Sequence, residues 1–215
     1  NGCPATAAPR TLPPLLMVRP AGGVLGVDKL EALCRFLRQH GVDELRMPGQ
    51  GLGVPGLSPE GQTELRELLG LAPGQDGHSG LIVRGCPGSA GCKNGLQDST
   101  ALGQRLEERF GALELPAKVR VGLSGCPRCC GESHVRDLGL VGGKNGWTVL
   151  FGGNAGGRPR LADTLAKGLT DDEAVELVAR LLDHYRTHAT KNQRTARFVE
   201  AVGIQSIREA LVAGE

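Results

Sequence analysis

Five of the seven cysteines sit in two short loops. Cys86 and Cys92 are separated by five residues in "RGCPGSAGCKNG" (84–95), and Cys126, Cys129 and Cys130 crowd into "SGCPRCCGESH" (124–134). Thiolates are soft ligands, and four of them supplied by two loops hold either a tetrahedral zinc or an iron–sulfur cubane. Structural zinc sites favour cysteines roughly two to four residues apart, a spacing that the second loop meets and the first does not. A cubane needs loops that wrap it. Each loop here opens with Gly-Cys-Pro, which turns the backbone sharply and leaves amides free to approach sulfur. The ligand chemistry favours an iron–sulfur cluster, with zinc and redox-active free thiols as the alternatives. Cys129 is surplus to a four-ligand site and reads as a bystander, or else as a labile thiol open to oxidation.

The chain has 215 residues and a formal charge of +2. It is long enough to bury a real core and too near neutral to bind nucleic acid through a global field. Hydrophobic residues make up 40% and charged residues 22%, the balance of a soluble globular protein. No run of about 18 apolar residues occurs, so no membrane span is expected. The opening "NGCPATAAPRTLPPLL" lacks a basic stretch followed by an apolar core, so no signal peptide is expected and it reads as a flexible lead-in. Clustered cysteines outside a short secreted chain point to metal rather than to a disulfide framework, and the expected location is cytoplasmic. "GLGVPG" belongs to neither a P-loop nor a G-x-G-x-x-G motif. With no nucleotide site expected, reducing equivalents have to arrive from a separate protein.

Periodicity indicates the elements that carry the two loops. "LPPLLMVRP" (12–20) reads as a strand, and 26–41 as a helix with Leu30, Leu33, Cys34 and Leu37 on one apolar face. Cys34 is thereby expected to be a small buried hydrophobe. "DELRMPG" (43–49) reads as a second strand running into a Gly-rich loop, and Ser58-Pro59 opens a helix over 58–71. After a linker-like stretch at 72–80, a strand at 81–85 leads into the first cysteine loop. A helix follows at 96–111, and a strand at 117–125 delivers the second loop. Further strands are expected at 137–143 and 146–153, then a helix at 170–189 whose acidic first turn suits its N-terminus. Shorter helices at 193–201 and 205–213 close the chain. The fold class is α+β in two lobes, with both cysteine loops directly after strands at one edge of a mixed sheet.

These residues resemble the sulfite and nitrite reductase family. The pattern Cys-x5-Cys … Cys-x3-Cys, with "GCP" opening the second pair, carries the resemblance. "DLGLVGGKNGWTVLFGGN" (137–154) is similar to the family's strand pair after the last cysteine. "VRPAGGVLGVDKLEAL" (18–33) and "ELRMPGQGLGVPGL" (44–57) are similar to the opening and the second strand of its ferredoxin-like half-domain. Only one of the two halves of the large enzymes is matched, as in a compact low-molecular-weight member. The resemblance implies a ferredoxin-like half-domain over 12–75, then a mixed-sheet α/β domain over 80–215 that binds sirohaem and a [4Fe-4S] cluster. It implies six-electron reduction of sulfite to sulfide, or of nitrite to ammonia. Carried across, Cys86, Cys92, Cys126 and Cys130 are the cluster ligands, and Cys130 is also the axial ligand of the sirohaem iron.

Sirohaem is a polycarboxylate and the substrate is an anion, so such a site needs local positive charge. Arg19 and Arg46 align with basic residues of the family and are the candidates for substrate contact. Asn154 of "GGN" is a candidate for a sirohaem carboxylate. Arg84, Lys93, Arg120 and Arg128, beside the cysteines or on the strands feeding them, are candidate cofactor-binding cations. Two departures stand out: the loop where the large enzymes place an Arg reads "PGQGLG", with Gln50, and no Lys pair stands between 71 and 86. They keep in view a second class, an electron carrier or redox sensor of the same fold; a third class is a zinc-stabilised binding module. The expected partners are a ferredoxin-like or other electron-donor protein and a small oxyanion. "KNQRTARF" (191–198) reads as a solvated helix face or as the docking patch of an acidic donor, and His134 as a surface histidine or a proton donor.

Overall fold

The computed structural model describes residues 15–20, 23–47, 51–71 and 81–213. The lead-in with Cys3, Gln50 and the linker-like stretch 72–80 lie outside them. The first elements are β1 (Leu15–Val18), α1 (Val27–Gln39), β2 (Leu52–Pro55) and α2 (Pro59–Leu69). β1 and β2 run antiparallel, with Leu15 opposite Pro55 and Val18 opposite Leu52. Leu33, Phe36 and Leu37 of α1 and Leu65 and Leu69 of α2 pack on Leu16, Val18 and Val54 to form one core. α2 starts where the sequence says it should. The Ser58 hydroxyl accepts from the Gly61 amide, Pro59 occupies the first turn, and Gly70 closes the helix in the left-handed region at φ 66°.

Two expectations are corrected in this lobe. The second strand is not 43–49: Arg46 makes only an isolated bridge to Gly53, and the Gly-rich stretch itself forms β2. A Cβ on Gly53 would stand 2.7 Å from Leu15 Cδ2, so the glycine that reads as a loop signal is what lets the two strands close. Cys34 is exposed, and so is Leu30. The buried stripe of α1 is rotated onto Leu33, Phe36 and Leu37, because a phenyl ring removes more apolar area from water than a thiol does.

The remainder comprises β3 (Leu81–Gly85), α3 (Ser99–Phe110), β4 (Val119–Ser124), β5 (Leu138–Gly143), β6 (Gly146–Phe151), β7 (Asp163–Leu169), α4 (Asp171–His188), α5 (Thr195–Val202) and α6 (Ile204–Ala213). The strands form one sheet in the order β3-β4-β5-β6-β7. β3, β4 and β5 are mutually parallel, and β6 and β7 are antiparallel additions, so the α+β mixed sheet stands as expected. β7 went unread because its residues are half-buried or exposed and its pairing with β6 is broken by register shifts, which leaves no period-two signal.

One face of this sheet is apolar. Val119, Val121 and Leu123 of β4 pack with Leu102, Leu106 and Phe110 of α3 and with Val178, Leu181 and Tyr185 of α4. α4 begins with a capping box between Thr170 and Glu173. The run 191–198 is solvated only at its start: Lys191 and Asn192 are exposed, but Thr195, Ala196 and Phe198 are buried as α5 docks. Among the described residues no helix is long and apolar enough to cross a membrane.

Candidate active site

β3 and β4 are parallel and in register, with Gly85 opposite Leu123, so their loops emerge side by side. The loops are then tied backbone to backbone. Cys86 N donates to Leu123 O at 3.1 Å, and the amides of Leu96 and Gln97 both donate to Gly125 O, at 2.7 and 3.0 Å. The Ser99 hydroxyl donates to Cys86 O at 2.7 Å, and Gln97 Nε2 reaches Gly143 O at 2.9 Å. The fit is close enough that a Cβ on Gly125 would lie 2.5 Å from Gly88 Cα. Under the second loop, the fully buried hydroxyls of Ser124 and Ser133 stand 2.8 Å apart. Ser124 Oγ accepts the Gly131 amide at 3.0 Å, and Ser133 Oγ donates to Leu140 O at 3.0 Å. Between these anchors Cys129 (φ 58°) and Glu132 (φ 57°) adopt the left-handed region without being glycine, a conformation held by the surrounding bonds.

Cys126 is buried, Cys86, Cys92 and Cys129 are half-buried, and Cys130 is exposed. Cys86 Sγ accepts the Gly125 amide at 3.2 Å and lies 3.5 Å from Ser99 Oγ. Burial pushes this thiol up, but Ser99 and the amides of Gly125 and Gly88 more than offset it, and the net direction is down. That is the environment of a thiolate. Among the described residues no three Cys, His, Asp or Glu side chains converge on one ion position.

The other face of the sheet is cationic. Arg84 is opposite Gly122, and Arg120 is opposite Ile82, so both arginines project from the face that turns away from α3 and α4. Gly122 leaves room for Arg136, whose Cγ would lie 2.8 Å from a Cβ placed there. Arg19, just after β1, joins from the other lobe: burial, then Arg84 and Arg120, lower its pKa. Burial, then the same two arginines, lower that of Arg136, with Asp137 opposing. Lys118, the residue before β4, is lowered by burial and then by Arg120, Arg194 and Arg19. Several of these cations carry nitrogens that are buried without a partner: Nε and Nη1 of Arg19, and Nε of Arg84 and of Arg136. Beside them a cavity of about 580 Å³ runs between the lobes, lined by Arg19, Val24, Leu30, Met47, Arg84 and Cys86 among others.

Of the cations singled out from sequence, the structure brings together Arg19, Arg84 and Arg120. Arg46 pairs with Glu44 at 3.2 Å, while Lys93 and Arg128 are exposed. Both ends of the Asn154 amide are used inside its own loop, on Arg158 O (2.7 Å) and Gly156 N (3.1 Å). His134 is exposed. Sequence reasoning missed Lys118, Arg136, Asp137 and Arg194. The alternation in "AKVRV" was the available signal for Lys118, since it places Lys118 and Arg120 on one strand face.

Residues 78–214 match the family described as "Nitrite and sulphite reductase 4Fe-4S domain". The chain is 43% identical over 192 residues to an assimilatory-type sulfite reductase of Nitratidesulfovibrio vulgaris, covering 88% of each. It is 34% identical over 192 residues to a nitrite reductase [NAD(P)H] of Bacillus subtilis, but spans only 24% of that protein. The solved structure of the Mycobacterium tuberculosis NirA protein superposes on 93% of the chain with a TM-score of 0.79, using 40% of its own length. At 19% identity, that likeness concerns the fold.

Proposed function

The chain belongs to the nitrite and sulphite reductase family, and from that premise we propose that it is a small reductase that converts sulfite to sulfide. Family membership implies a [4Fe-4S] cluster coupled to sirohaem. The residues present fit both groups. Buried, unpaired guanidinium nitrogens on Arg19, Arg84 and Arg136 are costly unless a ligand meets them, and a polycarboxylate macrocycle with an oxyanion beside it is such a ligand. This observation carries the reading. Val24, Leu30 and Met47 are exposed yet line the adjoining cavity, which gives a flat ring an apolar wall. Cys86, Cys92, Cys126 and Cys130 would hold the cluster, and Cys130 would also reach the sirohaem iron. Bound there, the two groups supply the electron path and the iron at which the oxyanion is reduced.

The chain's own residues supply charge and protons. Arg84, Arg120 and Arg136 draw in the oxyanion and offset its charge. Lys118, with its pKa lowered by burial and by Arg120, Arg194 and Arg19, gives up a proton more readily than an exposed lysine, as a reaction that consumes protons requires. Its acid form is lost as pH rises through that lowered value, so turnover falls on the alkaline side earlier than an ordinary lysine would allow. Sulfite is preferred as substrate because the relative matched along 88% of its length is a sulfite reductase, while the Bacillus nitrite reductase is matched along 24% of its length. A separate donor protein and a cytoplasmic location complete the proposal.

The test is anaerobic turnover of the loaded protein with a low-potential artificial donor, reading sulfide from sulfite and ammonium from nitrite. Sulfide is expected, and Lys118→Ala lowers kcat by about 10²-fold with a smaller change in KM. Fully loaded protein that forms neither product contradicts the reading.

A further inference from the structure

Lys93, Arg128 and Lys144 are exposed. Lys93 follows Cys92 in the first cysteine loop, Arg128 lies between Cys126 and Cys129 in the second, and Lys144 lies in the turn between β5 and β6. The backbone brings these three places together. Gln97 Nε2 donates to Gly143 O at 2.9 Å, Leu96 N donates to Gly125 O at 2.7 Å, and a Cβ on Gly142 would stand 2.7 Å from Gly125 O. Lys93 is four residues from Gln97, Arg128 three from Gly125 and Lys144 one from Gly143. Each Cα therefore lies within about 14 Å of a residue in that junction. No Asp or Glu occurs in 84–97, 124–131 or 138–150. The carboxylates at the margins are already used: Asp98 Oδ1 accepts the Thr100 and Ala101 amides at 3.0 Å each, and Glu132 pairs with Arg136. The rim of the thiol site is therefore positive. Lys93 and Arg128 stand outside the inter-lobe cavity, so their charge faces water rather than the cavity's ligand.

Resting on the reductase reading, we propose that this rim of Lys93, Arg128 and Lys144 is the docking surface for a small acidic iron–sulfur protein that delivers electrons to the cluster. A positive rim attracts and orients an acidic partner. The partner then sits over the loops whose thiols hold the cluster, which keeps the electron path short. Each docking event moves one electron from the donor's reduced centre to the oxidised cluster, and no bond is made or broken. The basic run 191–198 lacks that placement. Asn192 N donates to Pro116 O at 2.8 Å, which holds the run near the start of β4, whereas the second cysteine loop leaves the strand's far end. β4 has six residues, so about 20 Å of strand separates the two.

Docking is read apart from turnover by stopped-flow reduction of the cluster with a reduced acidic ferredoxin, followed by visible absorbance with no sulfite present. The second-order rate constant is expected to fall as salt rises. The triple variant Lys93→Glu, Arg128→Glu, Lys144→Glu lowers it by about 10²-fold at low salt, while reduction by methyl viologen, which needs no docking, is not slowed. A matched variant, Arg35→Glu, Arg38→Glu, Lys191→Glu, makes the same charge change at exposed positions on α1 and beside Asn192, and loses far less. Equal loss in the two triple variants would mean that net charge alone is at work, and the proposal falls. A ferredoxin rate indifferent to salt and to the rim variant overturns it as well. If the rim variant does not hold the cluster, Lys144→Glu alone serves, because it lies outside both cysteine loops. It slows ferredoxin about fivefold, and an unchanged rate overturns the proposal. Ferredoxin-reduced protein that shows the expected salt dependence but forms no sulfide would keep the docking surface and remove the reductase reading.

Discussion

Cys129 and Cys130 are adjacent, yet their backbone settings differ. Cys129 sits at φ 58°, in a region that side-chain-bearing residues rarely occupy, and it is half-buried while Cys130 is exposed. On the proposed reading, the exposed Cys130 is the thiol that would also reach the sirohaem iron. Cys130→Ser is therefore expected to remove cluster and sirohaem together, whereas Cys129→Ser keeps both. Iron and labile-sulfide content with the visible spectrum checks this, and cluster loss on Cys129→Ser instead would reverse the ligand assignment. Spacing marks the thiols as metal-directed but leaves cluster and zinc open, and the four-ligand set comes from the family resemblance. Nearness to the cysteines in sequence does not sort the cations: Arg84 and Arg120 lie on the paired strands β3 and β4, while Lys93 and Arg128 are exposed. Lys118 and Arg136 gain their role from the sheet face they share, which no local pattern announces.

The elements most clearly written in the sequence are those whose ends carry their own chemistry. α2 has its Ser58 cap and its Gly70 stop, and α4 has its capping box. Strands are legible when one face is apolar, as in β4, and illegible when glycine or exposure blurs the alternation, as in β2 and β7. Gly125 shows why glycines near the site are constrained. A Cβ there meets Gly88 Cα at 2.5 Å and Gln97 O at 2.7 Å, and backbone cannot step aside as a side-chain tip can. Gly125→Ala is expected to cost about 1–3 kcal/mol and to lower the iron and labile sulfide held per folded chain, because the two cysteine loops must separate. Gly157, where a Cβ meets nothing within 4 Å, is the control: Gly157→Ala keeps the wild-type content. Equal retention in both variants would mean that loop interlock does not hold the cluster.

Across the whole molecule, two cores are built by separate stretches of chain, one around Leu33, Val54 and Leu65 and the other around Val121, Leu181 and Tyr185. Between the two lobes lies the cavity, with thiol, cations and exposed apolar side chains on its walls. A net charge of only +2 conceals the local cluster of Arg19, Arg84, Arg120 and Arg136. The α+β class and the cysteine loops' place directly after strands follow from the sequence, while the parallel pairing of those strands does not. The cavity does not, since its walls come from residues as far apart as Arg19 and Cys86. The most direct test is the visible absorption spectrum of anaerobically purified protein with iron, labile-sulfide and zinc analysis. Sirohaem bands with about five iron and about four sulfide per chain are the predicted result. Zinc without iron, or about four iron with no haem bands, would contradict it.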